Sequence, residues 1–158
     1  EISVAAYPET HPQARSADDD LDHLKRKIDA GATRTITQFF FDVTAFEQFL
    51  ERCAKAGITV PIVPGILPIG HFGRVAAIAE ACGASIPNDL RTACNGIDDD
   101  ATRRHRFAVD QAVALCSALQ SLGVSAFHFY TLNRAELVRD ICDGLGLMAA
   151  ETSIAWRD

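Results

Sequence analysis

The densest run of chemistry-bearing side chains lies between Asp18 and Lys27, where acids and bases alternate. Asp20 and His23 stand three apart and Lys27 four further on, so on a helix the three share one side. An acid followed by bases can hold ribose hydroxyls at one end of a ligand and phosphates at the other. The ordinary alternative is a solvated helix face with surface ion pairs. Gln38 is polar within a strand-like run and precedes Phe39, Phe40 and Phe41. An amide offers donors and an acceptor together, which suits the mixed edge of a heterocycle; a core amide satisfied by backbone is the alternative. Arg134 directly follows the apolar run 125–131, where a guanidinium can clamp a carboxylate or simply begin a helix on the surface. His11, His23 and the acids Asp18 to Asp20 raise the question of a metal, but no HExxH or comparable spacing supports one. His128 alternates with Phe127 and Phe129 and suits core or supporting service better than catalysis. No nucleophile elbow and no Ser/His/Asp series is present.

The elements that must position these residues alternate between two periods. Ile2–Tyr7 is a short apolar run that predicts a buried strand, and 16–30 carries Leu21, Leu24 and Ile28 at helical spacing. Ser16 with Asp19 has capping-box spacing, with aspartate in place of Glu or Gln, and Gly31 is a stop. Thr35–Phe41 predicts a second strand and Thr44–Ala56 a second helix. Val60–Leu67 predicts a third strand, His71–Ala81 a third helix and Ile86–Gly96 a short extra one. Ala101–Leu122 predicts a long amphipathic helix, with Asp98, Asp99 and Asp100 favouring its N-terminus. Ser125–Thr131 predicts the fourth strand, and Asn133 and Glu136 a capped helix ending near Asp143. Residues 1–146 then form the folded unit and 147–158 a loose tail.

Apolar strands alternating with helices imply parallel strands joined by right-handed crossovers. Four βα units make half of a (β/α)8 barrel or a small open doubly wound sheet, and periodicity alone does not choose. The segment after the first strand is Pro8-Glu9-Thr10-His11-Pro12, which lacks the Gly-rich turn of a dinucleotide-binding sheet. That favours the half barrel. In a barrel, functional residues collect where strands end, which here means Tyr7 and His11, Gln38 and Asp42, Pro64 to Pro68, and Tyr130 to Arg134.

The bulk properties exclude several classes. At 158 residues and 48% apolar the chain can bury a real core, while a formal charge of −6 without a basic stripe argues against nucleic acid or an anionic membrane. Five scattered cysteines without a C-x-x-C pair signal neither a disulfide frame nor a zinc knuckle; Cys53 and Cys116 read as buried free thiols, and a reducing cytoplasm is the expected compartment. No signal-peptide pattern and no long apolar run is present, so neither export nor membrane spanning is expected. The sequence opens on Glu1 and Ile2, directly in a strand pattern, which is the expectation for a piece of a longer protein.

Four blocks then carry a resemblance. Residues 4–12 (VAAYPETHP), 37–42 (TQFFFD), 64–68 (PGILP) and 127–134 (FHFYTLNR), in this order, resemble the methylenetetrahydrofolate reductase family, bacterial type, over nearly the whole chain. The resemblance implies the second four βα units of a (β/α)8 (TIM) barrel. It implies FAD as cofactor, NAD(P)H and 5,10-methylenetetrahydrofolate as ligands, ping-pong hydride transfer through the flavin, and a homo-oligomer. By resemblance Tyr7, His11, Ala14, Asp20, His23, Arg26 and Lys27 line the FAD, although His23 stands where asparagine is expected. Gln38 matches the glutamine that meets both folate and nicotinamide, and Arg134 the arginine on the folate side. Arg74 and Ile78 depart from an expected glutamine and an expected phenylalanine or leucine, so their roles are not carried over. The family's catalytic acid lies on an early strand matched by nothing here, so no catalytic residue is expected in this chain. The alternatives are a non-catalytic half barrel binding flavin or another anionic ligand, and a different barrel enzyme without flavin.

Overall fold

A computed structural model describes residues 1–147. Four parallel strands, β1 (Ser3–Ala6), β2 (Arg34–Phe39), β3 (Ile62–Ile66) and β4 (His128–Phe129), form one sheet in sequential order. Helices follow each strand: α1 (Ala17–Asp29), α2 (Val43–Lys55), α3 (Phe72–Cys82), and, after β4, α6 (Ala135–Gly144). Between α3 and β4 lie the short α4 (Asn88–Ala93), a 3-10 turn (Ile97–Asp99) and the long α5 (Ala101–Ser121). This is the βα order expected from the two periods. The tail from 148 onward lies outside the described residues.

Alternation along the strands sorts side chains onto two unlike faces. Val4 and Ala6 of β1 join Leu24 of α1 and Phe49 and Cys53 of α2 in one core cluster. Ile66 of β3 packs with Phe40, with Phe46 of α2, and with Ala112, Leu119, Leu137 and Ile141 of α5 and α6 in another. Phe40 and Phe46 stack at 4.9 Å with planes 8° apart, and both are fully buried. Burial of each such ring contributes about 1.5–3 kcal/mol. The opposite face is uncovered: Ser3 and Ala5 are exposed, and Arg34, Ile36, Gln38, Val63 and His128 only half-buried. Sheets that are parallel throughout are normally covered on both faces.

Two features depart from simple alternation. β2 bulges between Ile36 and Phe39, which pair with Val63 and Gly65, so three steps on β2 span two on β3. The bulge is held from both neighbours: Thr37 Oγ1 accepts from the Gly65 N–H at 2.9 Å, and the Tyr130 hydroxyl donates to the Thr37 carbonyl at 3.0 Å. In addition, the C-terminal end of α3 reaches the loop after β1. Its cap, Gly83 at φ +71°, sits so close to Pro12 that a Cβ would come within 2.9 Å of that ring, and the Glu9 carboxylate accepts from the Ser85 N–H with both oxygens at 3.0 Å.

Three sequence expectations need correction. The fourth strand is two residues long rather than seven, because only His128 and Phe129 pair with β3. Asn133 does not cap α6: it lies in a turn at φ +61°, and Arg134 takes the cap position without a side-chain cap bond. Of the aspartate run, only Asp100 caps α5, accepting from Thr102 and Arg103; Asp98 turns the other way and accepts from Phe72 N–H at 2.9 Å and Gly73 N–H at 3.1 Å at the start of α3. The Ser16 cap, accepting from the Asp19 N–H, is as the spacing predicts.

A Cβ at residue 65 would meet the Thr37 carbonyl oxygen at 2.2 Å and Tyr130 Cε2 at 2.6 Å. Gly65→Ala is therefore expected to lower stability by about 1–3 kcal/mol, as overpacking does. Urea unfolding checks this; an unchanged midpoint would show that β2 and Tyr130 are free to shift.

Candidate functional site

The loop after β1 and the face of α1 border an open cleft of about 390 Å3 at the C-terminal edge of the sheet. Tyr7, His11, Ala14 and Asp20 line it, together with His23, Arg26 and Lys27, so all seven residues singled out for one ligand by resemblance meet in one place. Gln13, which the sequence reading passed over, lines it too, as does Asp19, which that reading weighed as a cap partner and a metal ligand but not as a wall of this site.

The wall is built from hydrogen bonds. One oxygen of Asp20 accepts from the His11 N–H at 2.9 Å and so pins the loop to α1. His11 Nδ1 accepts from the Gln13 N–H at 3.0 Å, which leaves the proton of the neutral ring on Nε2. Its ring meets Tyr7 edge-on at 4.5 Å. Lys27 Nζ donates to the Ala5 carbonyl at 2.6 Å, and Arg26 Nη2 lies 3.2 Å from His23 Nδ1. Burial lowers the proton affinity of Lys27, with Asp20 pulling it back up; burial, aided by Asp20 and Cys82, raises the Tyr7 phenol. The donor set suits a ligand with phosphates at the Arg26 and Lys27 end and hydroxyls at Asp20, whose other oxygen is free to accept.

Neither Gln38 nor Arg134 lines this cavity. Gln38 is half-buried at the end of β2, and its Oε1 accepts from the Phe39 N–H at 3.0 Å, leaving the amide donors for a ligand. Arg134 donates from Nη1 to the Gly70 carbonyl at 2.9 Å and lies against Gly70, where a Cβ would come within 2.6 Å of Nη1. A tight turn aims it: the Arg134 N–H donates to the Thr131 carbonyl at 2.9 Å across Leu132 at φ +45° and Asn133 at φ +61°. Two left-handed central residues make a type I′ turn, and a leucine there costs on the order of 1–3 kcal/mol.

Tyr130 stood among the strand-end residues of the sequence reading without its partner on β2, and sequence reasoning missed Glu9 and Asp98 as organisers of the site. Tyr130 packs edge-on against Phe39 at 6.1 Å and links β4 to the bulge. Only the pattern of three aspartates before a helix hinted at Asp98, because one cap needs one of them. Burial pushes the thiols of Cys53 and Cys94 up to about 11 and that of Cys116 to about 12, so none of the three is an activated nucleophile. Among the described residues, no group of three His, Cys, Asp or Glu side chains could hold a metal, and no helix is long and apolar enough to cross a membrane.

The family model of methylenetetrahydrofolate reductase matches residues 1–146. The chain belongs to that family. It is 50% identical over 147 residues to the 5,10-methylenetetrahydrofolate reductase of Escherichia coli (strain K12), covering 93% of this chain and 50% of that protein. The 5,10-methylenetetrahydrofolate reductase of Buchnera aphidicola subsp. Baizongia pistaciae is 45% identical over 142 residues, covering 90% of this chain and 48% of that one. The chain thus spans about half the length of these curated relatives. A protein from Clostridium thermocellum, solved as binding two copies of 5-methyl-5,6,7,8-tetrahydrofolic acid, superposes with a TM-score of 0.57 at 20% identity, covering 92% of this chain and 52% of that one. At that identity the likeness concerns the fold. The parallel four-stranded sheet of this methylenetetrahydrofolate reductase family member is consistent with part of a TIM-type barrel.

The start of α3 tests the electrostatics. Burial pushes the Asp98 carboxyl up, but hydrogen bonds from Phe72 and Gly73, with His71 and Arg104 nearby, outweigh it and hold the group below its usual range. On acidification the unfolded chain therefore takes up this proton first, so the stabilisation is full above the unfolded-state value and fades as pH falls through the folded-state value. Asp98→Asn is expected to be less stable than the parent at neutral pH and to converge with it in acid. Thermal melts across that range check the sign; a constant gap would refute it.

Proposed function

We propose that this chain serves a methylenetetrahydrofolate reductase as four consecutive βα units of its (β/α)8 barrel, the second half, with the uncovered sheet face turned to the barrel interior. The reaction is reduction of 5,10-methylenetetrahydrofolate to 5-methyltetrahydrofolate by NAD(P)H, in two half-reactions that use one pocket in turn. FAD, when bound, supplies the hydride relay between the two substrates. The observation that carries the reading is the convergence of Tyr7, His11, Ala14, Asp20, His23, Arg26 and Lys27 on one cavity. The 5,10-methylenetetrahydrofolate reductases among its relatives support the folate chemistry, as does the methyltetrahydrofolate bound by the Clostridium thermocellum protein.

Within this reading Arg26 and Lys27 neutralise the cofactor's diphosphate, with Lys27 already anchored on β1 through the Ala5 carbonyl. Asp20 receives a ribose hydroxyl while keeping the loop closed through His11. Tyr7, at the end of β1, and Gln38, at the end of β2, stand at the C-terminal edge where barrel chemistry takes place. The Gln38 amide orients nicotinamide and pterin in turn, and Arg134 meets the folate. We assign no proton donor to this chain, so an active protein needs one from residues outside this sequence. Five free thiols suit a reducing compartment such as the cytoplasm.

The test begins with FAD titration of the purified chain, followed by absorbance and fluorescence quenching. Saturable binding that weakens in Lys27→Met is expected, together with no NAD(P)H-dependent folate reduction by the chain alone. Reduction by the chain alone would overturn the assignment of the proton donor elsewhere; absence of flavin binding to the complete reductase would overturn the cofactor site. In the complete enzyme, Gln38→Ala is expected to slow both half-reactions roughly tenfold, the loss of a hydrogen bond or so in each. A defect confined to the folate step by stopped flow would refute the shared contact.

A further inference from the structure

The loop over residues 8–12, which places Tyr7 and His11 at the cleft, has little structure of its own. Pro8 and Pro12 have no N–H to donate, and none of the five residues enters the sheet ladder. Ties to three different helices hold it instead. Asp20 of α1 accepts from the His11 N–H, and Glu9 reaches the Ser85 N–H just beyond α3. The third tie comes from α2, a helix with no residue in the cleft: Arg52 Nη2 donates to the Pro8 carbonyl at 2.9 Å.

Pro8 is buried, so its carbonyl has little access to water and depends on a donor from the protein. Arg52 is half-buried, lies 5.9 Å from the centre of the Phe49 ring, and enters no ion pair among the described residues. It lines a space of only about 10 Å3 behind the cleft, together with Glu9 and Phe49. Because about 10–15 Å3 is needed for one water, that space admits no ligand. Its front wall is shared with the cleft: Ala5, Tyr7, Asp20 and Lys27 line both. The guanidinium therefore stands one layer behind the ligand and fixes the residue that follows Tyr7.

We propose that Arg52 is a positioning residue for cofactor retention, holding the Pro8 carbonyl so that Tyr7 and His11 meet the ligand already in place. Such preorganisation appears in affinity, because a loop that is fixed beforehand loses less freedom when the ligand arrives. The proposal rests on the reading of the cleft as a flavin site and adds to it a residue that touches no flavin.

The experiment uses the complete reductase, stripped of flavin and titrated with FAD, as parent, R52M, R52K and C53A. Methionine keeps an apolar stem against Phe49 and removes the donor. R52M is expected to raise the Kd for FAD roughly tenfold, about the worth of one charge-assisted hydrogen bond. At saturating FAD its kcat and its KM for NAD(P)H are expected to stay within twofold of the parent. Only one nitrogen of Arg52 is engaged, so the single ammonium of R52K restores most of the affinity. C53A, at the neighbouring core position of α2, lowers the melting midpoint without weakening FAD. Hydrogen exchange of the segment 8–14, where the His11, Gln13 and Ala14 N–H groups are all bonded, is expected to quicken in R52M and not in C53A. An unchanged Kd in R52M, an equal loss in C53A, or a fall in kcat at saturating FAD would each overturn the proposal. A parent that binds no FAD, with exchange still quickened in R52M, would uphold the tie to the loop and sink the flavin reading; unchanged exchange would sink both.

Discussion

The contact among Gly65, Thr37 and Tyr130 holds the site edge of the sheet together. β4 contributes only two paired residues, too few to dock by backbone bonding alone. Tyr130 compensates by laying its ring on the side-chain-free surface of β3 and donating its hydroxyl past it to the Thr37 carbonyl on β2. Three strands are thereby locked at one point, at the level where Gln38 leaves the sheet and from which the turn to Arg134 departs. Burial, with Tyr7 and Cys82 acting in the same direction, raises the Tyr130 phenol, so its proton stays in place to make that bond at neutral pH.

A second tier of restraint runs across the strand ends. α3 is fastened at its beginning by Asp98, from the turn before α5, and at its end by Gly83 and Ser85 against the loop after β1. The same loop is tied to α1 through Asp20 and His11. The extra segment between α3 and β4 thus does more than lengthen a connection: it supplies the carboxylate that fixes the helix over the C-terminal edge. Arg104 adds a further tie by donating to the Asp98 carbonyl at 2.7 Å.

Where one segment dictated its own structure, it was legible in the sequence. The helix over 17–29 follows from Leu21, Leu24 and Ile28 and from the Ser16 cap, and its apolar stripe meets β1 as the period requires. Five of the cavity residues were legible from position, because Asp20, His23 and Lys27 lie on one helical face while Tyr7 and His11 follow the strand that face must meet; Ala14 and Arg26 came from the resemblance alone. What stayed hidden depends on distant partners. Asp98 caps a helix that starts 26 residues before it, a pairing no local pattern encodes. The β2 bulge depends on a hydroxyl 93 residues away, and the run Ser125–Thr131 has strand composition throughout yet only two of its residues enter the ladder with β3. Asn133 has the side chain of a helix cap, but the need to swing Arg134 back over Gly70 takes its backbone into the left-handed region instead.

Lys27 carries a consequence beyond anchoring. Its ammonium is held on a backbone carbonyl in a place where burial already weakens its grip on its proton. An anion settling beside it supplies the charge the surroundings lack, so occupancy strengthens that grip. Filling the cavity with such an anion would then be linked to proton uptake at alkaline pH.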